Sequence, residues 1–179
     1  MGVNEAQLED TGHGLRPVGE GWFVLNTRDA RWGDSPEFGR YTRWEGDGEA
    51  RFKEFGINIG VLVPGQPACM YHGEDAQEDF LILAGEGILI VEGEERPLRA
   101  WDFVHCPAWT KHVIVAAGSE PCVVLAVGAR NRPGLIYPVD PVAQRHGAGV
   151  AEETSDGDVA YADAGSVAPI RYVEGDLPG

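Results

Sequence analysis

Four side chains able to bind a metal fall within about forty residues of one another: His72, Glu74, Glu78 and His112. His72 and Glu74 are two apart, so on an extended chain both project from one face. Glu78 follows after the polar connection Asp75-Ala76-Gln77, at the mouth of a stretch whose Phe80 and Ile82 share its face. His112 stands behind the turn Pro107-Ala108-Trp109-Thr110-Lys111 and leads the apolar run Val113-Ile114-Val115. Two imidazoles with one or two carboxylates make a mixed nitrogen and oxygen site for a divalent transition metal, with open positions if the protein ligands number three or four. Iron there could activate dioxygen, whereas manganese, nickel or zinc would polarise a carbonyl or enolate.

Something rigid must bring these stretches together, and the pattern around them says what. From Trp22 to about Tyr137 the chain falls into short apolar stretches rich in β-branched and aromatic residues, punctuated by glycine and proline. That is the signature of an all-β sandwich or barrel. Strands are expected at Trp22 to Leu25, Ile57 to Val63, Cys69 to His72, Asp79 to Leu83, Gly87 to Glu92, Arg96 to Leu98, Asp102 to Cys106, His112 to Ala116 and Cys122 to Val127. Glu92-Gly93 reads as a tight hairpin turn, because glycine supplies the positive φ such turns need. No apolar period of 3.6 persists for three turns in this region, which argues against an α/β fold. Residues 1–20 are polar, glycine-rich and aperiodic, and are expected to be a flexible arm. The barrel is expected over residues 21–140. Residues 141–179 form an acidic, Ala/Gly-rich extension: from Gly149 to Gly179 there are seven acidic residues and one basic, Arg171. That segment either drapes over the barrel or a partner subunit through Ile170-Arg171-Tyr172-Val173, or stays mobile.

The 179 residues suit one domain. A count of 29 acidic against 14 basic side chains gives a formal charge of −15, which repels phosphate backbones and anionic lipid heads, so neither nucleic acid nor a membrane is expected as a partner. Cys69, Cys106 and Cys122 show neither a disulfide framework nor a paired zinc spacing and read as buried, reduced thiols. The first residues lack a basic and then an apolar region, and the longest apolar run, Cys122 to Val127, is far too short to span a bilayer, so a cytoplasmic location is expected.

The spacing His72-x-Glu74-x3-Glu78-x6-Gly85 resembles the first motif of the cupin superfamily, in which a glycine and five residues precede His-x-His. Gly65 sits one residue too early for that form, and Glu74 occupies the second histidine's place. The stretch from Asp102 to His112 resembles the second motif, in which a Gly-Asp pair leads to Pro-x-Gly-x2-His. Here Trp101 and Trp109 stand where that motif has glycines, and Ala116 stands at the terminal asparagine position. The resemblance implies a small single-domain cupin: a double-stranded β-helix, or jelly-roll barrel, with the metal between the motifs. It carries His72, Glu78 and His112 over as ligands and Glu74 only as a position. Glu74 either binds the cation or stays behind it as a catalytic acid or base. Within such a barrel Phe80, Ile82, Ile90 and Val104 are expected to line a dry pocket, and Trp109 either lines it too or packs elsewhere.

Other candidates read as structure. Alternation places His105 away from Val104 and Cys106; His13 and His146 lie in the terminal segments. Gly85-Glu86-Gly87 lacks the helix, lysine and serine of a phosphate loop. Arg40, Arg43, Arg51 and Lys53 read as a solvated strand edge, one of which an anionic carboxylate substrate could recruit. Two functions follow from these residues. One is a metal-dependent enzyme of dioxygenase or isomerase type acting on a small organic molecule, with Fe, Mn, Ni or Zn as cofactor. The other is a non-catalytic binding or sensing module for a small molecule. By family analogy a homodimer is expected.

Overall fold

The computed structural model describes residues 2–130 and 132–178 of the chain. Its strands, in chain order, are β1 (Gln7–Asp10), β2 (Leu15–Val18), β3 (Trp32–Ser35), β4 (Gly39–Arg43), β5 (Phe55–Leu62), β6 (Gly73–Glu74) and β7 (Glu78–Ala84). They continue with β8 (Glu86–Val91), β9 (Glu94–Arg99), β10 (Phe103–Cys106), β11 (His112–Ala117), β12 (Cys122–Ala129), β13 (Leu135–Ile136) and β14 (Ala168–Ile170). Two short helices, α1 (Pro141–Arg145) and α2 (Gly157–Ala160), lie between β13 and β14.

The strands form a jelly roll. One sheet runs β10-β7-β12-β5-β4-β3-β14 and faces a smaller one, β11-β8-β9; β1-β2 and β6-β13 are separate pairs. Period-2 alternation puts Leu62, Phe80, Ile82 and Val124 of the large sheet against Leu89, Leu98 and Ile114 of the small one, and this shared core sits between the layers. β12 lies inside the large sheet, paired along its whole length with β5 and along most of it with β7. That burial explains its run Cys122-Val123-Val124-Leu125, which need not alternate.

The β8-β9 hairpin closes through Glu92 and Gly93, with φ of 48° and 78°. Positive φ at both central residues is the turn that matches the twist of paired strands.

Two expected strands are corrected. Trp22 to Leu25 makes only an isolated bridge, Trp22 with Glu5, and leaves Val24 82% exposed. An apolar residue with no sheet to bury against gains nothing by extending. Cys69 to His72 is a bent approach whose bridge is His72 to His112, and pairing begins one residue later at β6. The N-terminal arm carries the β1-β2 hairpin, turned by Gly12 and Gly14 at φ of 85° and 116°. The acidic extension drapes over the barrel. Asp140 caps α1 by accepting from Val142 N and Ala143 N, and β14 pairs with β3. Arg40 then clasps buried Asp176 through two hydrogen bonds of 2.6 and 2.5 Å. Among the described residues no helix is long and apolar enough to cross a membrane.

Candidate metal centre

Three ligand-type side chains meet inside the roll. His72 arrives on the approach to β6, Glu78 opens β7 and His112 opens β11, and one ligand atom from each lies within 4.8 Å of the others. The imidazole centroids are 5.0 Å apart. His72 Nε2 is 3.2 Å and His112 Nε2 is 3.1 Å from the same oxygen, Glu78 Oε2.

Both rings are oriented from behind. The Nδ1–H of His72 donates to Met70 O at 2.8 Å, and that of His112 donates to Thr110 O at 2.9 Å. Each ring therefore turns Nε2 inward, the arrangement in which a backbone carbonyl fixes the tautomer of a metal-binding histidine. His112 Nε2 is fully buried and lies off the direction a hydrogen bond to Glu78 needs, so among the described residues it has no hydrogen-bond partner. An orphaned buried nitrogen is costly unless something else satisfies it. A divalent cation between the three groups would do so, and two imidazoles with one carboxylate are a donor set that suits one.

The charges are strongly coupled. Burial alone would raise the Glu78 carboxyl, but the imidazoles of His112 and His72 hold it down at about 2. Burial works against a charged His112, yet the Cys106 sulfur and Glu78 beside it lift the ring to about 10. His72 moves the same way: burial opposes its charge, and Cys69 and Glu78 overcome that and raise it well above its ordinary value.

Glu74 is not one of the gathered three. Its backbone is held by β13 and by Trp109, whose N–H donates to Glu74 O at 2.7 Å. Burial, and then the charge of Glu78, raise its carboxyl.

The site opens into a cavity of about 560 Å³. His72, Glu78, Phe80, Leu62 and Cys69 line its inner end; Tyr41, Arg43 and Asn58 line the opposite wall. Of the five expected pocket residues, Phe80 lines it. Ile82 and Val104 are instead packed in the core between the sheets, Ile90 lies in a second apolar cluster with Tyr71 and Val113, and Trp109 lies outside the cavity, half exposed against Gly134. The extension supplies what sequence reading missed. Tyr161 accepts from Met70 N at 3.1 Å and closes the cavity together with Ala164, Gly165 and Val167. No local spacing announces these residues; the hint was the cluster of tyrosine and small residues in a segment otherwise too polar to order itself.

Residues 58–128 match the family model described as the Cupin domain. Over this stretch the chain is similar to cupin domains. The polyketide cyclase of Streptomyces resistomycificus has a similar fold at 14% identity and a TM-score of 0.54, over 64% of this chain and 84% of that one. A sugar phosphate isomerase from Silicibacter pomeroyi is 26% identical, with a TM-score of 0.47, over 54% of this chain and 62% of its own. A cupin 2 conserved barrel domain protein from Salinispora arenicola is also 26% identical, with a TM-score of 0.44, over 50% of this chain and 73% of that one. The chain thus spans less than two thirds of the length of that isomerase. No curated protein matches the sequence. Trp101 and Trp109, at the places of the motif glycines, keep glycine's backbone: their φ angles are 74° and 70°.

Proposed function

We propose that this cupin is a metal-dependent enzyme for a small organic molecule, with a divalent cation held by His72, Glu78 and His112 and chemistry of dioxygenase or isomerase type. The observation that carries this reading is the buried, unsatisfied Nε2 of His112 beside a carboxylate and a second imidazole at the end of a cavity large enough for a metabolite. The cation, Fe, Mn, Ni or Zn, would supply a Lewis acid or an oxygen-activating centre. The chain's own residues do the rest. Met70 O and Thr110 O hold the imidazoles in one tautomer. Phe80, Leu62 and Val124 keep water from the inner end, and Tyr161 covers the substrate from the extension. Burial and the charge of Glu78 raise the Glu74 carboxyl above its ordinary range, which suits it to exchange a proton at the margin of the site.

Elemental analysis of protein purified without chelators tests this. The wild-type chain should carry close to one transition metal, His72→Ala and His112→Ala should lose it, and Glu74→Gln should keep it. A wild-type chain that refuses all four metals sinks the proposal. Melting that shifts with a sugar or small acid but not with metal would favour the binding module instead.

The same reading includes a homodimer. β10 is an edge strand of the large sheet; Phe103 at its start is 65% exposed, and Trp101 in the turn before it is 74% exposed. Light scattering should give twice the chain mass, falling to one on Phe103→Ser.

A further inference from the structure

The cavity has two chemically different ends. One ladder row crosses the large sheet from the metal side to the mouth: Phe80 pairs with Ala126, Ala126 with Asn58, and Asn58 with Arg43. All four side chains share the concave face, and all four line the cavity. Three interstrand steps of about 4.8 Å set Arg43 about 14 Å from Phe80 along the sheet.

Beyond Arg43 lies a second, smaller cavity of about 280 Å³, which shares Tyr41, Arg43 and Val167 with the first and adds Arg16 and Arg31. Three guanidiniums thus surround one opening in a chain of formal charge −15. The acids on that wall are already taken. Glu45 is held by Arg130 at 2.7 and 2.8 Å, and Asp47 by Arg16. Among the described residues Arg31 and Arg43 have no carboxylate partner; Arg43 rests over the Tyr41 ring, 5.3 Å from its centroid. Arg16 Nε is buried without any hydrogen-bond partner. Unpaired guanidiniums beside an apolar-walled cavity are a receptor for a planar or tetrahedral oxyanion, which they can grip through paired N–H donors.

We propose that this opening is the anion-binding end of the substrate site: the protein takes a small organic acid whose chelating head enters the metal chamber and whose carboxylate or phosphate is held by Arg43, with Arg31 beside it. The inference rests on the metal reading for the head and on Arg43 alone for the tail. In a molecule of formal charge −15, guanidiniums without carboxylate partners make this mouth a locally favourable place for an anion.

The monohydroxamates of adipic, suberic and sebacic acid, with their methyl esters, separate the two halves of the site. Each hydroxamate chelates the cation, and only the free acids offer an anion at the far end. Titrated calorimetrically into the Zn2+-loaded full chain, the best-fitting acid should bind about ten-fold tighter than its ester, and Arg43→Gln should bring the two within a factor of about two. A phosphonate of matching length shows which oxyanion the mouth prefers. Equal binding of acid and ester to the wild-type chain, or a preference that survives Arg43→Gln, overturns the proposal while leaving the metal reading standing. If the chain takes up none of Fe, Mn, Ni and Zn, the metal reading falls and the tail is still tested. Suberate, unlike suberamide, should raise the melting temperature of the metal-free chain, and Arg43→Gln should abolish the difference; no difference in the wild type overturns it.

Discussion

Trp101 and Trp109 separate two properties that a motif glycine usually combines. The left-handed backbone is kept, but the small size is not. A side chain in that region costs about 1–2 kcal/mol, and Trp101 recovers little of it because 74% of its surface faces solvent. Trp101→Gly should therefore raise unfolding free energy by about 0.5–1 kcal/mol after the added freedom of the unfolded chain is counted. A urea melt checks this, and a loss of stability would contradict it. The same change at Trp109 should gain less, because its ring lies against Gly134 and its backbone N–H pins Glu74. The two histidines of the candidate metal centre obey a different logic: each donates its Nδ1–H to a carbonyl two residues back, so ring orientation is built into the local turn. Moving Met70 O or Thr110 O by inserting one residue before either histidine should abolish metal uptake while leaving the far-ultraviolet spectrum of the barrel unchanged.

At the scale of elements, the extension is a strap. It is too acidic and too rich in small residues to fold alone, and it is ordered because β3 offers an open edge to β14 and Arg40 offers a partially buried partner to Asp176. Asp176 is only 7% exposed, so Asp176→Ala leaves Arg40 without its bidentate carboxylate. The cost, about 1–3 kcal/mol, should appear locally: hydrogen exchange and proteolysis of residues 160–172 should accelerate, with the midpoint for the barrel strands nearly unmoved. Equal acceleration across β5, β7 and β12 would mean that strap and barrel unfold as one unit. Since Tyr161 and Val167 close the cavity, loosening the strap should also speed ligand release.

For the whole molecule, the coupled charges at the centre define a pH window. Glu78 is pulled from its ordinary 4.5 to about 2 in the folded chain, so its contribution is present above pH 4.5 and is lost as pH falls toward 2. His112 is raised from 6.5 to about 10, so its contribution is complete below pH 6.5 and is lost as pH rises through 10. His72 moves in the same direction as His112. The metal-free protein should be most stable between these limits and weaken on the alkaline side. A bound divalent cation replaces the imidazolium protons as the positive charge facing Glu78, so adding zinc should remove most of that alkaline decline. Melting temperatures across pH, with zinc and with a chelator, read both effects. Self-repulsion from the formal charge of −15 should further make the melting temperature rise with salt.

The barrel and its metal-ligand candidates were legible in the chain because both depend on short-range order. Alternation over β7 reports which face is buried, the unbroken apolar runs of β8, β11 and β12 report strands that belong to the interior, Glu92-Gly93 reports its own turn, and His72 and Glu78 are spaced by the strand geometry that presents them. The second wall of the cavity was not legible. β3 and β4 are mostly Gly, Asp, Arg and Ser, with weak strand preference of their own, and become strands because β5 has an edge to pair and Trp32 and Thr42 have a core to enter. Arg43 looked like any solvated arginine until a register put it opposite Asn58, and Tyr161 looked like part of a disordered tail until the strap folded back. Pairing between distant strands is set by the burial that the assembled sheets offer, and no window of local sequence contains that term.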